Sequence, residues 1–196
     1  MITQQTLPFD AIEDSEHYDQ CTFLPANDQM RAADIVFTAC TFQQTDFRHS
    51  EWLDCTFDHC DFGNTHFDDS VLYRDVFTHC NLLGTDFLNN TWKDSHINGC
   101  RADYSNFSGS KLTACATADT SFNGASFIEV TFKDGFSTTS CAFNDCSFIG
   151  TWMNKVDLSA SEFSNLEFNP GDIRGLIINQ FQASLLIGQF GVVLKA

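Results

Sequence analysis

The chain has 196 residues, with 26 Asp and Glu against 10 Lys and Arg, a formal charge of −16, 21 Phe and 9 Cys. That length holds one domain with a sizeable core, while the acidic excess argues against a nucleic-acid binder, which needs a basic footprint, and against docking on anionic membranes. No apolar run approaches the roughly 20 residues that span a bilayer, the N-terminus lacks the basic and apolar stretches of a signal peptide, and the expected setting is the cytoplasm, where cysteines stay reduced.

In chain order, residues 1–20 come first and stand outside any repeat. They carry Asp10, Glu13, Asp14, Glu16 and Asp19, and read either as a flexible acidic arm or as a cap. From Cys21 a five-residue period sets in: CTFQQ, TDFRH, SEWLD, CTFDH, CDFGN, THFDD. Calling the large residue in the middle of each unit its centre, 17 of the 21 Phe are centres, and only Phe9, Phe136, Phe181 and Phe190 are not. All 9 Cys, from Cys21 to Cys146, lie two residues before a centre, at a position otherwise filled mostly by Ser or Thr. Ligands for redox or metal chemistry would not be spread so uniformly; a small inward side chain at a fixed structural station would be.

Two interruptions break the period. Residues 24–31 (LPANDQMR) form a short loop whose Pro25, Asn27 and Asp28 suit a turn. Over 133–142 the register slips by one residue, with Asp134 and Gly135 the expected bulge. The repeat occupies 21–179. The segment 180–196 then predicts a short helix over about 182–189 and a terminal strand, with apolar Phe181, Leu185, Leu186, Phe190, Val192 and Val193. An open solenoid end exposes backbone and core. This segment therefore either caps its own coil or pairs with a second copy.

The repeat resembles the pentapeptide-repeat family, whose units read small, Asp or Asn, Leu or Phe, polar, Gly or polar. The resemblance implies an all-β, right-handed quadrilateral β-helix of about eight coils, with four pentapeptides to a coil. The sequence carries its own check, because residues 20 apart should then stack and each face should have its own character. The centres at 47, 67, 87, 107, 127, 148 and 168 are all Phe, and those at 52, 72, 92, 112, 132, 153 and 173 read Trp, Leu, Trp, Leu, Phe, Met, Ile. The other two faces run through Phe57, Phe77, Ile97 and Thr117, and through Phe42, Phe62, Leu82, Ala102 and Phe122.

Charge sorts by face. The Trp/Leu face is nearly neutral at +1, and the all-Phe face, with Asp46, Asp68, Asp69 and Asp86 against Arg48 alone, stands at −5. The face of Phe57 and Phe77, with Asp58 and Asp119, stands at −4, and the remaining face at −3. Coils rise by one strand spacing, about 4.8 Å. Eight of them span about 38 Å, and a tail-to-tail dimer carries one negative charge per roughly 2.5 Å, against about 1.7 Å for duplex DNA.

Catalytic constellations are missing from the pattern. His59 and His79 are 20 apart at equivalent outward positions, but no third ligand of fitting spacing accompanies them, and no metal site or cofactor is read. Asp75 takes a small inward position between Cys55 and Ser95, where a local bulge or a hydrogen bond to Ser95 would accommodate it. No nucleophile–base pair or phosphate loop occurs, so the chain does not read as an enzyme.

The tail DIRGLIINQFQASLLIGQFGVVLKA also resembles the end of the Qnr-type quinolone-resistance group. That likeness implies a homodimer through Phe181, Leu185, Leu186, Phe190, Val192 and Val193. It also implies a DNA-mimicking partner of DNA gyrase or topoisomerase IV, protecting the enzyme from quinolones or gyrase-directed toxins. Asp46, Asp68, Asp69 and Asp86, with Asp58 and Asp119, are the candidate contact surface, and Asn27 and Asp28 the candidate loop. The alternative is a pentapeptide-repeat scaffold for another protein, its charge serving solubility alone.

Overall fold

The computed structural model describes residues 1–25 and 30–193. The candidate loop residues Asn27 and Asp28 lie outside the described residues.

Each pentapeptide builds one side of a four-sided coil. On two of the sides the centre sits in the middle of three extended residues, as in Glu51–Leu53, Thr56–Asp58, Val71–Tyr73 and Val76–Thr78, and on the other two it follows a one-residue bridge, as Phe62 follows Asp61 and Phe67 follows His66. Strand alternation sends that residue inward and its neighbours out. The residue two after the centre turns the corner in a left-handed conformation: φ is 57° at Asp54, 55° at His59, 54° at Asp69 and 52° at His79. Asp, Asn and His tolerate that region better than most residues with a Cβ, which is why so many of them collect at corners.

Successive coils pair in parallel with residues 20 apart in register, Phe57 against Phe77, Leu72 against Trp92 and Ile97 against Thr117. The product is a parallel β-solenoid of about 8 turns. Its axis is filled by stacked rings: Phe47 lies 4.8 Å from Phe67, and Phe107 lies 5.0 Å from both Phe87 and Phe127. Offset stacking of this kind adds to the gain from burial.

The small inward station has a hydrogen-bonding task. Its occupants turn their proton onto a carbonyl of the preceding coil: Ser110 Oγ onto Phe87 O at 2.7 Å, Thr85 Oγ1 onto Phe62 O at 2.8 Å, Cys80 Sγ onto Phe57 O at 3.3 Å. Ser, Thr and Cys are interchangeable there because each is small and carries one donor. All nine thiols are buried and free.

The expected slip is present. Pairing shifts between Thr113 and Cys115 on one coil and Lys133 and Phe136 on the next, and Gly135 takes a φ of +91°. Beyond it the rungs are 21 apart, as in Thr117 against Thr138.

Residues 1–20 do not stand apart from the coil; they begin it. Ile2 pairs with Tyr18 and Tyr18 with Phe37, while buried Phe9 covers the end of the core, its ring within 6.5 Å of Phe23, Phe37, Phe42, Phe47 and Trp52. At the other end the helix Gln180–Gln189 is started by a capping box between Asn179 and Gln182. Gln182 Nε2 also donates to Leu158 O at 2.8 Å and Ser161 O at 2.7 Å, tying the helix to the last coil. The expected terminal strand does not form at Val192 and Val193, which follow a turn as irregular chain. Among the described residues no helix is long and apolar enough to cross a membrane.

Candidate partner-binding surface

The two classes of face differ in how their charges are used. On the Trp/Leu face, acids meet bases: Arg74 pairs with Asp54, and Arg31 Nε lies 3.6 Å from Glu51. Arg74 and Lys93 also sit over the Tyr73 ring, 4.0 and 4.8 Å from its centre. Elsewhere, no Lys or Arg among the described residues lies within 4.0 Å of Asp61, Asp69, Asp86, Asp119, Asp145 or Asp157.

The sequence-derived candidates are not equivalent. Asp46, His66 and Asp86 share one column of bridges, which brings Asp46, Asp68 and Asp86 together on the all-Phe face. Asp46 is gripped by Arg48, whose Nε and Nη2 donate at 2.9 and 2.6 Å. The hydrogen-bonded guanidinium lowers its carboxyl to about 2. Asp46 therefore offers a partner little free charge. Asp68 and Asp86 are half-buried, and one oxygen of Asp68 is covered without a hydrogen-bond donor. Burial, with Asp68 nearby, pushes the Asp86 carboxyl up. Asp69 is exposed at its corner.

On the neighbouring face, Asp58 lies beside His59 and His79. Exposed Asp119 borders an open groove of about 540 Å³ shared with Ser121, Ser140 and Glu162. Pairing between the coils here is irregular, shifting between Ser137 and Thr139 and again between Thr139 and Ala142.

The C-terminal residues divide. Phe181 is 86% exposed and Val193 84%, and Leu185, Phe190 and Val192 are also exposed, so one side of the tail is an apolar surface. Leu186 is instead buried at 5% and packs into the coil end, because a helix lying across the core must turn one side inward. Trp152, an exposed ring on the late coils, was missed by sequence reasoning. Its signal was an aromatic at an outward position, directly before the centre Met153.

Inside the coil, Asp75 is fully buried without a bulge. Its Oδ1 accepts from Cys55 N at 2.8 Å, its own N–H donates to Ser95 Oγ at 3.0 Å, and Oδ2 has no partner. Burial raises its carboxyl to about 7. A neutral carboxyl has the proton that other occupants of this station donate. The thiols are no more reactive: burial pushes Cys55 and Cys146 up to about 12.

Four sides to a coil, rungs 20 apart and a small donor two before most centres define the chain's architecture, and residues 50–127 match the family model for the pentapeptide repeat region. That stretch is a pentapeptide repeat. The same pentapeptide geometry continues on both sides of it. Among solved structures, a trypsin-treated variant of QnrB1, a plasmid-mediated fluoroquinolone resistance protein, aligns with a TM-score of 0.51 at 17% identity, covering 100% of this chain and 98% of that one. Full-length QnrB1 gives 0.38 at 17% identity, covering 97% and 99%. HetL, a pentapeptide repeat protein involved in heterocyst differentiation regulation from the cyanobacterium Nostoc sp. strain PCC 7120, gives 0.42 at 8%, covering 91% and 85%. The first likeness is one of fold. No curated protein sequence matches the chain.

Proposed function

We propose that this protein binds a bacterial type II topoisomerase, DNA gyrase or topoisomerase IV, by presenting an acidic rod in place of DNA, and so shields the enzyme from quinolones or gyrase-directed toxins. The observation that carries the reading is the uneven pairing of charge: Arg31 and Arg74 meet acids on one face, while on the other three only Asp46 and Asp103 have an arginine partner, and Asp61, Asp69, Asp86, Asp119, Asp145 and Asp157 have no Lys or Arg within 4.0 Å among the described residues. A basic DNA-binding groove attracts such a surface at long range. The fold shared with QnrB1, a fluoroquinolone resistance protein, points the same way. The protein acts in this reading as a binding partner rather than an enzyme, and as a homodimer joined through the exposed side of its C-terminal segment.

The test is gyrase supercoiling and DNA cleavage with and without ciprofloxacin. Inhibition or drug protection at micromolar dimer is expected, and indifference of both activities sinks the proposal. Asp69→Asn with Asp119→Asn should weaken binding and flatten its salt dependence, whereas Asp46→Asn should do less, since Arg48 already holds that carboxylate.

The alternative, a scaffold for a different protein, draws on the same Asp46–Arg48 pair and on the half-burial of Asp68 and Asp86, which thin the charge of the all-Phe face. It predicts that topoisomerase activity and quinolone susceptibility do not respond to the protein.

A further inference from the structure

We propose that Asp58, His59 and His79 form a binding site for one divalent transition-metal ion of the zinc class. No third ligand lies in the 20-residue column of His59 and His79; the structure supplies one from the adjacent position, because the corner brings the side chains of residues 58 and 59 together. His59 Nδ1 lies 2.8 Å and His79 Nδ1 3.4 Å from the same Asp58 oxygen. One donor atom from each of the three residues lies within 4.8 Å of the other two. Zinc bonds of about 2.0–2.2 Å at tetrahedral angles place neighbouring donors about 3.3 Å apart. The two separations from Asp58 lie within about 0.5 Å of that value, and small rotations of the exposed imidazoles would complete three corners of a tetrahedron.

The fold holds this arrangement. Both histidines occupy left-handed corners, with φ of 55° and 52°, on coils locked in register by Thr56–Asp58 against Val76–Thr78. Their ring centres are consequently 4.8 Å apart. The next corner in the column is Gly99, where an added Cβ would lie 2.8 Å from His79 Cδ2. The absence of a side chain there lets the His79 ring stay where it is. Among the described residues no Lys or Arg within 4.0 Å competes for Asp58.

Donor chemistry selects the ion. Two imidazoles and one carboxylate suit zinc, nickel or copper, whereas magnesium and calcium want more oxygens. A second group, His66, Asp68 and Asp86, reverses the ratio to one imidazole and two carboxylates. It serves as a comparison within the same molecule.

The test uses the tag-free full chain, with Zn²⁺ followed by calorimetry and Co²⁺ by absorption. One ion per chain is expected, with tetrahedral cobalt bands and no thiolate-to-cobalt charge transfer, since the nine thiols are buried. Loss of an outer-shell partner alone weakens zinc sites about 10–100-fold, so His59→Gln and His79→Gln should each weaken binding at least that much. Both side chains are exposed and the variants should fold. His66→Gln should leave binding unchanged. Absence of saturable binding, binding indifferent to His59→Gln and His79→Gln, or loss on His66→Gln instead would each overturn the assignment.

Discussion

Replacing Asp75 with Asn tests the account of the coil interior most directly. The residue is buried with its carboxyl raised from 3.8 to about 7, so ionising it in the folded chain costs about 4 kcal/mol more than in the unfolded chain. Below about pH 4 the proton is on in both states and stability is indifferent to it. Between about pH 4 and 7 the unfolded chain releases the proton while the folded chain keeps it, and stability falls by about 1.4 kcal/mol per pH unit. Above about 7 both states are ionised and the loss is complete. The coil already carries the replacement elsewhere, since Asn90 Oδ1 accepts from Ser70 N at 2.8 Å just as Asp75 Oδ1 accepts from Cys55 N. Asp75→Asn should therefore fold identically and gain on the native protein as pH rises, with the difference growing by about 4 kcal/mol between pH 4 and 8. Equilibrium urea unfolding at several pH values reads this as a difference between two profiles, which cancels the general repulsion of an acidic chain. Parallel profiles would refute the reasoning.

Other consequences are as specific. Trp52 Nε1 donates to Ser50 Oγ at 2.7 Å, but its counterpart Trp92 faces Asn90, and both Trp92 Nε1 and Asn90 Nδ2 are left without acceptors. Asn90→Ser should restore the acceptor and stabilise by about 1–2 kcal/mol in urea unfolding; no gain would mean the indole is satisfied some other way. Phe107→Ala removes the middle of a stack and should cost about 3–5 kcal/mol, whereas Phe168→Ala, at a half-buried end position, should cost clearly less in the same assay. Phe181→Asp, altering a side chain that touches mainly solvent, should leave the circular dichroism spectrum intact and convert a dimer to a monomer by light scattering.

The sequence makes the middle of this molecule legible and its ends obscure, for a physical reason. Where every coil has 20 residues, the period itself states which residues stack, and Phe107 could be placed between Phe87 and Phe127 by arithmetic. The first coils are irregular, with Tyr18 stacking 16 residues after Ile2 and 19 before Phe37, so the same arithmetic ends at Cys21. Leu186 and Leu185 look alike in sequence, and only the tilt of the helix across the coil end separates the buried one from the exposed. Charge counted by face likewise missed pairing over two residues, where Arg48 reaches back to Asp46. Contacts around a corner, where Asp58 meets His59, do not follow from the 20-residue columns.

The two ends of the solenoid differ in a way that governs how far it could ever grow. At the first end the exposed strands Ile2–Thr3 and Thr6–Pro8 are two and three residues long, one of them finished by proline, with Phe9 plugging the core behind them. Such an edge is a poor template for another strand. At the far end the plug is a helix, whose backbone hydrogen bonds are spent internally and whose outer side is apolar. In the language of polymer growth, the proposed dimerisation makes each chain a monofunctional unit, with one blunted end and one adhesive end. Two adhesive termini can satisfy each other, and nothing then remains to extend. In the proposed dimer, a stack of parallel strands is thereby limited to two copies instead of elongating like a fibre.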